Sequence, residues 1–256
     1  MERTPEPMPT PTGSDAPRAL RGLILDFAGV LTANPLPVHR VWAESEGLHA
    51  EAWRATLNDT AEGRRLYAAL EIGQLDQVAW NTQTAALLGA HVDPANLMGR
   101  AWSKVPVASR MVALARAAKE AGYRLAILSN SFGLDPFNPC EHVGIWDLFD
   151  VHVISEAVGM AKPDPAIYQL TLDRLQLPAT ACVFANGHPA NLPPAEALGI
   201  TTVLATDEEK GRHQTGGPAR GDRGGSRSGL IPAIALNAGR WTRGVGHAPE
   251  AGTVPL

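Results

Sequence analysis

Two cysteines in 256 residues are too few for a disulfide framework, and Cys140 and Cys182 lack metal-site spacing. Each reads as a small buried hydrophobe. No apolar run approaches the roughly 20 residues that a membrane helix needs, so no membrane partner is expected. The opening stretch MERTPEPMPTPTGSDAP lacks the apolar core of a signal peptide, and a cytoplasmic protein is expected. A net charge of only -4 gives no global attraction to nucleic acid or to an anionic membrane. What remains is an ordinary globular composition, 45% hydrophobic, in a chain long enough for one α/β core and a smaller insert.

The two ends of the chain have no apolar period. Residues 1–18 are rich in Pro and Thr and read as a disordered leader; residues 206–256, Gly/Arg-rich at first, read as a low-complexity tail. Between them lie five short apolar runs, at 21–27 (RGLILDF), 123–128 (YRLAIL), 149–154 (FDVHVI), 181–185 (ACVFA) and 200–205 (ITTVLA), each readable as a buried strand. Helical patterns at 107–121 and 165–177 separate the later ones, and Gly122 and Pro165 punctuate them. Strands alternating with helices imply a doubly wound parallel sheet. Residues 33–105 hold no strand-like run. Helical patterns at 38–46, 50–58, 63–71 and 75–88 predict a small α-helical cap there, so the core is expected at 19–32 and 106–205. Trp42, Trp53, Tyr67 and Trp80 of this insert read as helix-packing core rather than a substrate wall.

Four candidate sites fall just after strands, where open α/β sheets bind ligands. Asp26 closes the first apolar strand, a costly place for a carboxylate unless it is paired or functional, and a carboxylate can act as a nucleophile. Ser129 offers a hydroxyl and Asn130 an amide, both suited to an anionic oxygen. Lys162 lies in a loop before Pro163 and can neutralise Asp26 and a ligand. Asn186-Gly187-His188 follows the fourth strand. His188 reads as a surface-loop residue, Asp164 as a loop brace, and Pro193-Pro194 are expected to shorten or shift the next helix.

Together, LILDFAGVLT, ILSNSF, AKPDPAIY and the run from Phe184 to Asn191 resemble the haloacid-dehalogenase-like superfamily, in the subgroup with a helical cap inserted after the first motif. The resemblance covers about residues 20–205. It implies a Rossmann-like α/β core, Asp26 as nucleophile, Ser129 and Asn130 as the second motif, and Lys162 as the charge-balancing lysine. Ser129, Asn130 and Lys162 would also bind a small-molecule substrate. A magnesium ion would be held by Asp26, the Ala28 carbonyl and Asn186.

The departures are specific. Phosphatases of the family carry a general acid two residues after the nucleophile, where this chain has Ala28. Acids that hold Mg²⁺ are replaced by Asn186 and Gly187. Losing one unit charge facing a cation at ~4 Å removes about 4 kcal/mol at an effective dielectric near 20, and a divalent ion doubles that gross figure, so Mg²⁺ affinity should fall. The resembling dehalogenases need no metal, yet they place a water-activating Asp where Asn191 stands. Three functions follow: a weakened hydrolase of the phosphatase branch acting on a small phosphorylated metabolite, an inactive ligand- or protein-binding relative, and a metal-independent 2-haloacid dehalogenase-type hydrolase.

Overall fold

The computed structural model describes residues 20–205, so the leader 1–18 and the tail 206–256 lie outside the described residues. Five strands form one sheet: β1 (Gly22–Leu25), β2 (Arg124–Ser129), β3 (Val151–Ile154), β4 (Cys182–Asn186) and β5 (Thr201–Leu204). Their order is β3-β2-β1-β4-β5, and every pairing is parallel. Each apolar run is a strand within one or two residues of its expected bounds.

Alternation along each strand sends side chains to opposite faces. Leu23, Leu25, Leu125, Ile127, Val183 and Ala185 join one buried cluster; Ile24, Ala126, Leu128, Cys182 and Phe184 join the other. That two-sided burial makes these segments near-continuously apolar. The second face is covered by α9 (Pro165–Leu175) through Ile167, Tyr168, Leu172 and Leu175, and by Ala195 of α10 (Leu192–Ala197). Asp164 caps α9, its carboxylate accepting from the Ala166 N–H at 2.9 Å, which is the bracing role expected of it. Helix α10 has only six residues, with Pro193 and Pro194 in its first turn.

Between β1 and α6 (Ser109–Glu120) the chain forms helices only: α1 (Leu36–Ser45), α2 (Ala52–Arg54), α3 (Ala61–Glu71), α4 (Gln77–Leu88) and α5 (Leu97–Trp102). It leaves and re-enters the core side by side, for Thr32 and Val107 form an antiparallel bridge. The pattern at 50–58 is one short helix followed by a wider turn at Ala55–Asp59. α4 begins at Gln77 because Asp76 caps it, accepting from the Ala79 N–H at 2.7 Å. α5 has no counterpart among the expected helices. Trp42, Trp53, Tyr67 and Trp80 are all buried, as packing residues should be. The short helices α7 (Pro139–His142) and α8 (Ser155–Val158) flank β3 in sequence. No described helix is long and apolar enough to cross a membrane.

Candidate active site

The site is built at the carboxyl ends of β1, β2 and β4. Asp26 follows β1 directly and is held by its own N–H, which donates to the Ala185 carbonyl at 3.0 Å. The chain then turns tightly. Gly29 adopts φ +72°, a conformation that L side chains rarely take, and its N–H donates to Thr32 Oγ1 at 3.2 Å.

Lys162 reaches Asp26 from the loop before α9. Its Nζ donates to Asp26 Oδ1 at 2.7 Å and to the Leu128 carbonyl at 2.9 Å. The lysine side chain is 1% exposed and the aspartate 14%. A charge buried so deeply needs such a partner. Asn130 fixes the loop that presents the lysine. Its Nδ2 donates to the Lys162 carbonyl at 2.9 Å, and its Oδ1 accepts from the Lys162 N–H at 2.8 Å. The Asn130 amide oxygen and one N–H are therefore engaged with backbone, which positions the lysine loop and leaves one Nδ2 hydrogen for an anionic oxygen. Ser129 is buried and lines the cavity; its Oγ makes only a 3.4 Å contact with the Asn130 carbonyl. Ser131, not singled out from sequence, also lines it.

Asn186 approaches Asp26 from the other side. Its Nδ2 donates to Asp26 Oδ2 at 2.7 Å. Its Oδ1 accepts from the His188 N–H at 2.7 Å and from Asn191 Nδ2 at 3.2 Å. A backbone N–H can only donate, and a carboxylate can only accept, so the amide cannot be turned round. This corrects the expectation that Asn186 offers an oxygen to a metal: it presents an N–H to the carboxylate, where a cation would sit. Both Asp26 oxygens are already engaged, Oδ1 also accepting from the Phe27 N–H at 2.8 Å. Gly187 contributes no side chain. The remaining candidate donors are the Asp26 carboxylate and the Ala28 carbonyl, a poor set for Mg²⁺ with Lys162 and the Asn186 N–H already on the carboxylate. Among the described residues no group of three or more His, Cys, Asp or Glu is arranged to hold a metal ion.

A cavity of about 700 Å³ opens over this constellation. Asp26, Ser129, Lys162, His188 and Asn191 line its polar end; Leu36, Trp102, Phe132 and Leu134 are among its apolar walls. Tyr67 lines it as well as packing in the core, so the sharp division between wall and core fails for this residue. His188 is not merely a surface-loop residue: it faces the cavity while its Nδ1 accepts from the Ala190 N–H at 3.2 Å. Cys140 lines the cavity too, but burial pushes its thiol up to about 12, which leaves little thiolate.

One functional candidate was missed in the sequence. Glu71, the last residue of α3, enters the same cavity from the helical insertion. Lys162 favours ionisation of its carboxylate, Asp26 opposes it, and the Asn130 side chain adds a smaller pull toward the ionised form. Burial is the largest influence and raises Glu71 to about 7. A signal was present: an acid at a helix C-terminus sits against the dipole, which favours cations there.

A five-stranded doubly wound sheet with a buried carboxylate–lysine pair at its switch-point end defines an α/β protein of the kind that works at strand carboxyl ends. The model of the haloacid dehalogenase-like hydrolases matches residues 20–199, and the chain belongs to that family. It is 26% identical over 208 residues to bifunctional epoxide hydrolase 2 of Sus scrofa, covering 75% of this chain and only 37% of that protein. Two solved structures share the fold. One is a family enzyme of Bacteroides thetaiotaomicron in complex with magnesium and inorganic phosphate, with TM-score 0.56, 17% identity, and coverage of 74% of this chain and 96% of that one. The other is the L-2-haloacid dehalogenase of Xanthobacter autotrophicus, with TM-score 0.55, 19% identity, and coverage of 76% and 82%.

Proposed function

We propose that this chain is a metal-independent hydrolase that attacks a small organic substrate of no more than one negative charge through Asp26, in the manner of a 2-haloacid dehalogenase. The observation that carries this reading is the fixed orientation of Asn186, whose N–H replaces the cation beside the nucleophile. The charge balance supports it. Asp26 and Lys162 cancel, so a monoanion adds one charge, whereas a phosphomonoester dianion adds two next to a carboxylate with no metal to offset them. At ~4 Å and an effective dielectric near 20 each uncompensated unit pair opposes binding by about 4 kcal/mol. The expected phosphatase-branch activity on a phosphorylated metabolite is disfavoured on the same ground.

In the first step an Asp26 oxygen forms a bond to the substrate carbon as the carbon–halogen bond breaks, and halide leaves with the electron pair. The product is an ester on Asp26. Lys162 and the Asn186 amide hold the carboxylate in place, and Lys162 and Ser129 receive the substrate's own carboxylate. Leu36, Trp102 and Phe132 exclude water from the apolar end.

The test uses purified protein with a chelator present. Halide release from 2-chloropropionate is expected, and Asp26→Asn should lower it by roughly 10⁴-fold or more, the scale for losing a nucleophile that acts with its partners. Phosphomonoester turnover that requires Mg²⁺, without halide release, would overturn the reading in favour of the phosphatase branch. No turnover of either substrate would leave the cavity as the binding site of an inactive relative.

A further inference from the structure

Attack by Asp26 leaves an aspartyl ester that must be hydrolysed, yet Ala28 and Asn191 stand where acid–base groups would be sought. We infer that Glu71, carried into the cavity by the helical insertion, is the general base that activates water for hydrolysis of the Asp26 ester.

This role for Glu71 deepens the proposed function and rests on it. Three geometric facts carry it. Glu71 lines the same cavity as Asp26, Ser129 and Lys162. The chain beyond it is pinned at Gly73, with φ +70°, where a Cβ would lie 2.5 Å from the Glu156 carbonyl oxygen. It is pinned again at Gln77, which makes three hydrogen bonds to Phe132 and Phe137 of the core. The segment that carries Glu71 is thereby anchored to the core. Glu46, Glu51 and Glu62 of the same insertion are each tied up in a salt bridge with an arginine, whereas Glu71 faces the cavity instead.

The step balances. Water oxygen bonds to Asp26 Cγ while its proton passes to Glu71. The tetrahedral intermediate collapses, the bond from Cγ to the ester oxygen breaks, and the departing alkoxide takes the proton from Glu71. The new Asp26 carboxylic acid releases its remaining proton to solvent, restoring the carboxylate opposite Lys162. The groups facing Glu71 are Lys162 from the loop before α9, Asp26 from the loop after β1 and Tyr67 from its own helix, with His188 on the same cavity. With the carboxyl raised to about 7, the basic form fills in as pH rises through neutrality.

The experiment uses the full chain and 2-chloropropionate, with wild type and Glu71→Gln compared by halide release and intact mass. Wild type should release many equivalents, with a rate that rises through about pH 7. Glu71→Gln should give a stoichiometric burst, accumulate a mass adduct on the Asp26 peptide, and hydrolyse it roughly 10²–10⁴-fold more slowly. Glu71→Asp serves as the second variant and should restore part of the turnover and of the pH limb. Steady turnover by Glu71→Gln at the wild-type rate, without adduct, overturns the inference and leaves the Asp26 reading intact. Neither halide nor adduct from either protein overturns both.

Discussion

The strand ends and the helical insertion solve the problem of buried polar groups in opposite ways. At the strand ends the buried polar atoms around Asp26 are matched: Lys162 with Asp26 and the Leu128 carbonyl, Asn186 with Asp26, His188 and Asn191. In the insertion, Gln77 and Asn81 are matched, but several buried polar atoms have no partner among the described residues, namely both His39 ring nitrogens, Trp42 Nε1, Asn58 Nδ2, Trp80 Nε1 and Thr84 Oγ1. Its cohesion comes from rings, with Trp53 5.0 Å from Trp42 and 5.9 Å from Trp80. The strand ends thus use directional contacts that hold a charge, while the insertion relies mainly on non-directional burial, with Gln77 and Asn81 as its matched polar groups. Function should be brittle at the first and stability pH-sensitive at the second.

The largest stability effect should follow from breaking the match at the strand ends. Lys162→Met leaves the largely buried Asp26 carboxylate without its cation, with only the Phe27 and Asn186 N–H donors beside it. Removing one member of a buried pair destabilises by about 3–5 kcal/mol. Adding Asp26→Asn to that change should recover much of the loss, since no charge is then stranded. Denaturant titration of both single variants and the double variant measures this. If the losses simply add, the pair does not behave as a unit.

The next effect belongs to the insertion and to acid. His39 is 2% exposed between the rings of Trp53 (5.3 Å) and Trp102 (5.0 Å), and burial lowers it from 6.5 to about 4. Below pH 6.5 the unfolded chain takes a proton that the folded chain refuses. Stability from this group is therefore full above 6.5 and is lost as pH falls toward 4, by about 3 kcal/mol in all. Glu71 runs the other way: raised from 4.5 to about 7, it favours the fold below 4.5 and loses that contribution as pH rises through 7. The two overlap in the wild-type profile, so the difference between wild type and His39→Leu isolates the histidine. The variant should gain about 2–3 kcal/mol relative to wild type between about pH 7.5 and 4.5. Parallel profiles would mean that His39 finds a partner when it is protonated.

The same contrast governs what the sequence could disclose. The five strands were legible because burial on both faces leaves near-unbroken apolar runs; β1, β3 and β5 are trimmed inside their runs, while β2 and β4 extend one residue past theirs, to Ser129 and Asn186. Asp26 and Lys162 were legible because a charge at an apolar strand end, or in a loop just before a proline, is costly to bury unless another charge meets it. The direction of the Asn186 amide was not, because it depends on His188 and Asn191 reaching one oxygen across a turn. Glu71 was hidden at the end of an amphipathic helix, where a glutamate ordinarily faces solvent, and only its position against the dipole marked it. α5 escaped because a six-residue helix spans too few turns to show a period.

The smallest effect tests whether the two regions act as one. Gln77, 1% exposed in the first turn of α4, donates to the carbonyls of Phe132 (2.9 Å) and Phe137 (3.1 Å) and accepts from the Phe137 N–H (3.0 Å). These residues belong to the segment that follows Ser129. Gln77→Ala strands one buried N–H and weakens two carbonyls, a loss of about 1–3 kcal/mol. It touches neither Asp26 nor Lys162. If Glu71 works from the insertion, loosening this joint should slow hydrolysis of the Asp26 ester more than its formation, a split that single-turnover and steady-state halide release would resolve. Equal slowing of both steps would locate the damage in the segment after Ser129. No change in either would mean that Phe27, Trp102 and Phe132, with ring centroids 6.4 and 4.8 Å apart in succession, bind the insertion to the core by packing alone.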